Sequence, residues 1–143
     1  MLRAELGDED FFRGIRLYYD AHRDSLASSE DLRAAFEKAS GKNLKDFFAN
    51  WVYGVGHPRY ELTWGWNEKT KRLRLVLTQT QLEPAFLNAV PIGIVNGGSQ
   101  RRIVIKPESK QAVDEIKLDS APGSLVIDPE NVILDESRVI RRD

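Results

Sequence analysis

The hydrophobic period of this chain changes once, and that change constrains the fold more than any other feature. Up to Val52, apolar residues recur at three- and four-residue spacing, as on one face of a helix. From Tyr60 they alternate, as on one face of a strand. Between the two lies Gly54-Val55-Gly56-His57-Pro58. Glycine admits positive φ, and proline drives the residue before it toward extended backbone, so the chain leaves the helix in a defined direction. The pattern predicts an α+β chain: a short N-terminal helical bundle segment of about three helices, then an antiparallel β-sandwich of six or seven strands. The boundary falls between residues 1–56 and 57–143.

Each helix has start and stop signals. Asp8 is the expected N-cap of the first, with Glu9 and Asp10 in its first turn, where the helix dipole favours acids. Phe11, Phe12, Ile15, Tyr18 and Tyr19 form its stripe. Ser28 with Asp31 reads as a capping box, followed by Leu32, Ala35, Phe36 and Ala39, with Gly41 as the stop. Asn43 is the expected cap of a third helix carrying Leu44, Phe47, Phe48, Trp51 and Val52. A helical unit this short buries little surface by itself, so it needs a partner surface.

The strand half opens with a hairpin. Tyr60, Leu62, Trp64 and Trp66 share one face, Asn67–Thr70 turns, and Leu73, Leu75 and Leu77 answer. Further strands are expected at 90–95, 101–105, 112–118, 125–127 and 132–134, and the charged end, ESRVIRRD, reads as a fraying tail.

Composition closes off several functions. With 30% charged and 41% hydrophobic residues, the 143-residue chain reads as an ordinary water-soluble domain. Its net charge of −1 makes no electrostatic case for nucleic acid. No apolar run approaches the roughly 20 residues that span a bilayer. The start, MLRAELGDED, has no apolar centre and reads as lacking a signal peptide. The compartment stays open among cytoplasm, periplasm and secretion. The absence of cysteine excludes disulfides, thiolate metal sites and a cysteine nucleophile.

A search for catalytic residues returns none. His22 and His57 are the only histidines and stand far apart in sequence, whereas zinc takes three or four protein ligands, usually closely spaced. His22 reads as a helix C-terminal residue and His57 as a junction residue. Gly97-Gly98-Ser99 reads as a hairpin turn, because a phosphate loop wants a helix after it and Arg101–Ile105 reads as strand. The aromatics Phe47, Phe48, Trp51, Tyr60, Trp64 and Trp66 read as core before they read as a ligand groove.

A family resemblance enters through the order of several packing motifs. They are Leu2-Arg3 with Gly7-Asp8 and Phe11; Tyr18-Tyr19 with His22; Ser29-Glu30-Asp31-Leu32; Ala39-Ser40-Gly41 with Leu44, Phe47-Phe48 and Trp51; and Gly56-His57-Pro58. Together with VIDPENVILD at residues 126–135, this order resembles the aminopeptidase N family of zinc metallopeptidases. More narrowly, it resembles the C-terminal portion that runs from the end of the thermolysin-like, gluzincin-type catalytic domain through a β-sandwich. The resemblance implies that residues 1–56 close that catalytic domain. It also implies that Phe47, Phe48, Trp51, Tyr53, Gly56, His57 and Pro58 form a structural inter-domain junction.

The departures bear on chemistry. The family's H-E-x-x-H helix, which binds zinc and activates its water, is not in this sequence, nor is the third ligand glutamate beyond it. No catalytic, cofactor-binding or metal-binding residue carries over. Zinc, the N-terminal remainder of the enzyme and a peptide substrate are implied for a longer parent alone. An exposed stripe on residues 8–20 is expected, either covered by that remainder or by a second copy of the chain. The alternative reading is a stand-alone β-sandwich that binds peptide or protein without enzymatic activity.

Overall fold

A computed structural model describes residues 1–82 and 84–142. The chain is mixed α+β, with four helices and seven strands in two sheets among the described residues. It divides into two compact units, Met1–Val55 and Gly56–Asp143.

The helical unit contains α1 (Leu2–Leu6), α2 (Asp8–His22), α3 (Ser29–Ser40) and α4 (Lys45–Trp51). The capping box at α3 is complete: the Asp31 backbone N–H donates to Ser28 Oγ at 3.2 Å, and Ser28 N–H donates to the Asp31 carboxylate at 2.9 Å. The Ser28 hydroxyl, which donates to Asp31 Oδ2 at 2.6 Å, and then the Ser28 N–H hold the Asp31 carboxyl below its usual range. Gly41 ends α3 in the left-handed region at φ 68°, as its position predicts. The expected cap of α4 is corrected: its N-cap is Leu44, without a side-chain cap bond, and Asn43 stands one residue earlier, its Oδ1 accepting from the Lys45 N–H at 3.0 Å in a local turn. Glu37 Oε1 accepts from the Leu44 N–H at 2.9 Å and from Arg33 at 2.9 Å, joining the end of α3 to α4. Leu6, Phe36, Leu44 and Phe48 form the buried centre.

Two further expectations in this unit are corrected. There are four helices rather than three, because α1 precedes the expected first helix. The N-cap of α2 is Gly7, at φ 82°, and Asp8 is the first helical residue, its carboxylate held by both Arg3 Nε and Nη2 at 2.8 Å. The acid still sits in the first turn, where the dipole favours it.

The sheet unit is sandwich-like. One sheet runs β5-β2-β1-β7 and the other β4-β3-β6. The strands are β1 (Arg59–Asn67), β2 (Arg72–Gln79), β3 (Val90–Asn96), β4 (Ser99–Ile105), β5 (Gln111–Lys117), β6 (Ser124–Ile127) and β7 (Glu136–Arg141). The β1–β2 hairpin has the register its alternation predicts, with Leu62 opposite Leu77, Trp64 opposite Leu75 and Trp66 opposite Leu73. Leu62, Leu73, Leu75, Leu77, Val90 and Ile92 are buried almost completely.

The sheets are not wholly antiparallel, which corrects the sandwich as predicted. β7 pairs with β1 in parallel, Arg59 opposite Glu136 through Trp64 opposite Arg141. The cause is the return path. After β6 the chain arrives at the start of β1, where the Glu136 N–H donates to the Pro58 carbonyl at 3.1 Å, and it then runs in the same direction as β1. Residues 136–141 therefore form a strand rather than a fraying tail, although Asp143, the tail's last residue, lies outside the described residues. Residues 132–134 do not form the expected strand.

Candidate functional site

The seven junction residues fall into two groups. On the helical side, Phe48 is buried in the helical core, and Phe47 packs against that core with its ring 6.1 Å from that of Phe48. Trp51 is half-buried. Tyr53 is exposed, and its hydroxyl donates to Glu30 Oε1 at 2.8 Å. Arg33 and then Tyr53 hold the Glu30 carboxyl below its usual range.

On the sheet side, Gly56 takes φ 79°, which a side chain rarely adopts. Pro58 is buried. His57 Nε2 lies 3.0 Å from Glu136 Oε1, and Arg59 Nε lies 3.2 Å from Glu136 Oε2. The structure thus gathers His57, Arg59 and Glu136 at one end of the β1–β7 pair. Glu136 gave no signal in the sequence, because the strand carrying it has no buried residue to mark it.

Beside this cluster is a second polar group that sequence reasoning did not single out. Asp128 is only 7% exposed and stands in the turn after β6 at φ 44°. Its Oδ2 accepts from the Ile133 N–H at 2.6 Å. Asp128 Oδ1 and Asp135 Oδ2 are buried with no hydrogen-bond partner among the described residues. Burial raises the Asp135 pKa, the Ser137 hydroxyl opposes that, the Asp128 charge adds to it and His57 offsets it. Burial also pushes the Tyr60 hydroxyl well above its ordinary value, although Asn88 opposes the shift.

A stability consequence follows from Asp135. Because the folded state raises its pKa above the unfolded value, the native state holds the proton more tightly than the unfolded chain does. Its contribution is therefore most favourable below that value and is lost as pH rises through the folded pKa. Asp135→Asn is expected to be stabilising by about 1 kcal/mol at pH 7, since it removes a charged oxygen without a partner. The gain should shrink toward pH 3.5, near the unfolded value. Urea unfolding of both proteins across that range checks it; a gain that does not vary with pH sinks the assignment.

Among the described residues, no three His, Cys, Asp or Glu side chains are grouped so as to hold a metal ion. His22 stacks near Tyr18, with ring centroids 5.4 Å apart, and His57 faces Glu136. A zinc centre of the metallopeptidase kind does not fit these residues.

The comparisons with known proteins agree on one kind of relative. No family model matches the chain. It is 38% identical over 58 residues to probable aminopeptidase 2 of Sulfurisphaera tokodaii, covering 41% of this chain and 7% of that protein. It is 32% identical over 79 residues to aminopeptidase N of Escherichia coli, covering 55% of this chain and 9% of that protein. With aminopeptidase M1-C of Oryza sativa the identity is 26% over 107 residues, covering 74% and 12%. The chain is aminopeptidase-like over these stretches. Among solved structures it is similar to Legionella pneumophila aminopeptidase A in complex with aspartic acid, with a TM-score of 0.76 and 14% identity, over 96% of this chain and 16% of that one. That likeness is one of fold. The matched stretches span 7% to 12% of these curated relatives.

Proposed function

We propose that this chain is a non-catalytic C-terminal portion of a zinc aminopeptidase. Residues 1–56 would complete the thermolysin-like catalytic lobe, and the β-sandwich of residues 57–143 would brace it. Phe47, Phe48, Trp51, Tyr53, Gly56, His57 and Pro58 are the structural junction in this reading. The parent would release N-terminal residues from peptides with a zinc-activated water, and the zinc ligands and the motif glutamate would come from its N-terminal remainder.

The observation that carries this reading is the kinship of the relatives: an archaeal, a bacterial and a plant protein, all aminopeptidases, each matched over a small fraction of its length. The helical unit supports it. Phe12, Ile15 and Tyr19 lie at helical spacing on α2 and are 43%, 39% and 62% exposed. Such a stripe is the surface the remainder of the parent would cover.

Reading the genomic DNA upstream of the Met1 codon tests the proposal. An open frame containing H-E-x-x-H and a downstream glutamate is expected. A stop codon and ribosome-binding site immediately upstream would overturn it in favour of a stand-alone binding module. The purified chain, given zinc, is expected neither to retain stoichiometric metal nor to hydrolyse aminoacyl p-nitroanilides. Turnover by the chain alone would contradict the non-catalytic assignment.

A further inference from the structure

We propose that the outer face of the four-stranded sheet binds an extended acidic peptide segment in a groove above Gly65. The register puts Thr63 and Gly65 of β1 opposite Val76 and Arg74 of β2, on the face turned away from Leu62, Trp64 and Leu75. Gly65 carries no side chain, and a Cβ built there would lie 3.3 Å from the Arg142 carbonyl, so the sheet is low at this point; an open groove of 410 Å³ lies over it, with Thr63 and Val76 in its lining. Arg72, Arg74 and Arg142 line it against a single acid among the described residues, Glu115. Arg142 is brought in by its backbone N–H, which donates to the Trp64 carbonyl at 2.7 Å.

The charges around the groove do not cancel. Glu115 pairs with Arg72 at 3.3 Å. Glu68 is taken by Lys71 and by Trp66 Nε1, and Glu61 by Arg138. Arg74 and Arg142 have no acidic partner among the described residues, so two guanidinium groups face the hollow without a counter-charge of their own. A guanidinium matches a carboxylate through two parallel N–H donors, which makes a carboxylate the complementary group.

The neighbouring row makes the occupant a peptide rather than a free acid. Val113 of β5, Val76, Thr63 and Ile140 of β7 lie side by side across the sheet, next to the arginine row. Val113 and Ile140 are exposed. Successive same-face positions on a strand are two residues, or about 6.5–7 Å, apart. An extended segment along β1 would therefore set an acidic side chain over Gly65 and, two residues away, an aliphatic one over the Thr63–Val76 row. This inference does not depend on the aminopeptidase reading.

The test is an NMR titration of the whole chain at low salt with acetyl-Thr-Val-Thr-Glu-Thr-amide and with its Gln counterpart. Saturable shifts are expected at the Gly65 amide and the Arg74 Nε–H. Affinity should fall at least tenfold for the Gln peptide and at least tenfold in either Arg74→Gln or Arg142→Gln. Both substitutions are at surface positions, and the spectra themselves report whether the fold is kept. Equal binding of the two peptides, sodium acetate binding as tightly as the peptide, or no saturable shift at Gly65 would each overturn the proposal.

Discussion

Gln79→Leu is expected to destabilise the sheet unit by about 2–3 kcal/mol, although it places an aliphatic side chain in an apolar column. Gln79 is 4% exposed and continues the inward series Leu73, Leu75, Leu77. Its carboxamide is engaged at both the nitrogen and the oxygen. Nε2 donates to the Phe86 carbonyl at 2.7 Å, and Oε1 accepts from the Phe86 N–H at 2.8 Å and from Gln81 Nε2 at 2.9 Å. Gln81 in turn accepts from the Arg59 N–H at 3.1 Å. The side chain of Gln79 thus does for Phe86 what a neighbouring strand would do. Leucine removes both bonds to Phe86 and leaves Gln81 Nε2 with only its longer bond to the Pro84 carbonyl at 3.3 Å, and a buried polar group that loses its partner costs about 1–3 kcal/mol. Gln79→Glu distinguishes this from a packing effect. Its carboxylate keeps an acceptor for the Phe86 N–H but repels the Phe86 carbonyl, so it should be destabilised at pH 7 and recover in part at pH 4. Urea unfolding with hydrogen exchange at the Phe86 amide measures both; a Gln79→Leu protein within 0.5 kcal/mol of the original would refute the account, since surface-like changes stay in that range.

The elements readable from sequence are those whose side chains sort by burial. The β1–β2 hairpin has alternation on both strands, and one register alone buries Leu62, Leu73, Leu75 and Leu77 together. The start and end of α3 were legible in Ser28, Asp31 and Gly41 because each acts through local chemistry. β7 was illegible for the opposite reason. All six of its residues are exposed, and it is held by backbone pairing to β1. At 132–134 alternation misleads: Ile133 is buried, but its N–H goes to the Asp128 side chain rather than to a strand. Gln79 did leave a signal, a polar residue at a core-facing position, which calls for a polar partner in the fold. The Asp128–Asp135 pair left none, because burial of two acids separated by a loop depends on where the loop returns. The functional assignment likewise was legible in motif order, Ala39-Ser40-Gly41 through Gly56-His57-Pro58, rather than in any one residue.

Gly14→Ala should destabilise the helical unit by about 1–3 kcal/mol, against the sign that helix propensity predicts. In the middle of a helix, alanine is ordinarily worth about 1 kcal/mol over glycine. Gly14 lies inside α2 and is buried. A Cβ built there would come within 2.3 Å of Phe36 Cδ1, 2.8 Å of Cε1 and 3.1 Å of Cγ. The ring cannot readily step aside. Phe36 is 1% exposed, and its other side stacks on Phe11 with centroids 5.3 Å apart. The absence of a side chain at Gly14 is what lets α2 and α3 approach closely enough to bury Phe36, so the overlap must be relieved by moving a helix. A double-mutant cycle separates this from any local effect of the substitution. Phe36→Leu alone should cost about 1 kcal/mol by loss of ring contacts. On that background Gly14→Ala should become neutral or stabilising, because the branched chain can turn away from the new methyl. The coupling between the two sites is expected to exceed about 1 kcal/mol, as for residues in direct contact. Additive effects in thermal and urea unfolding would mean that the two helices are set by something other than the Gly14–Phe36 contact.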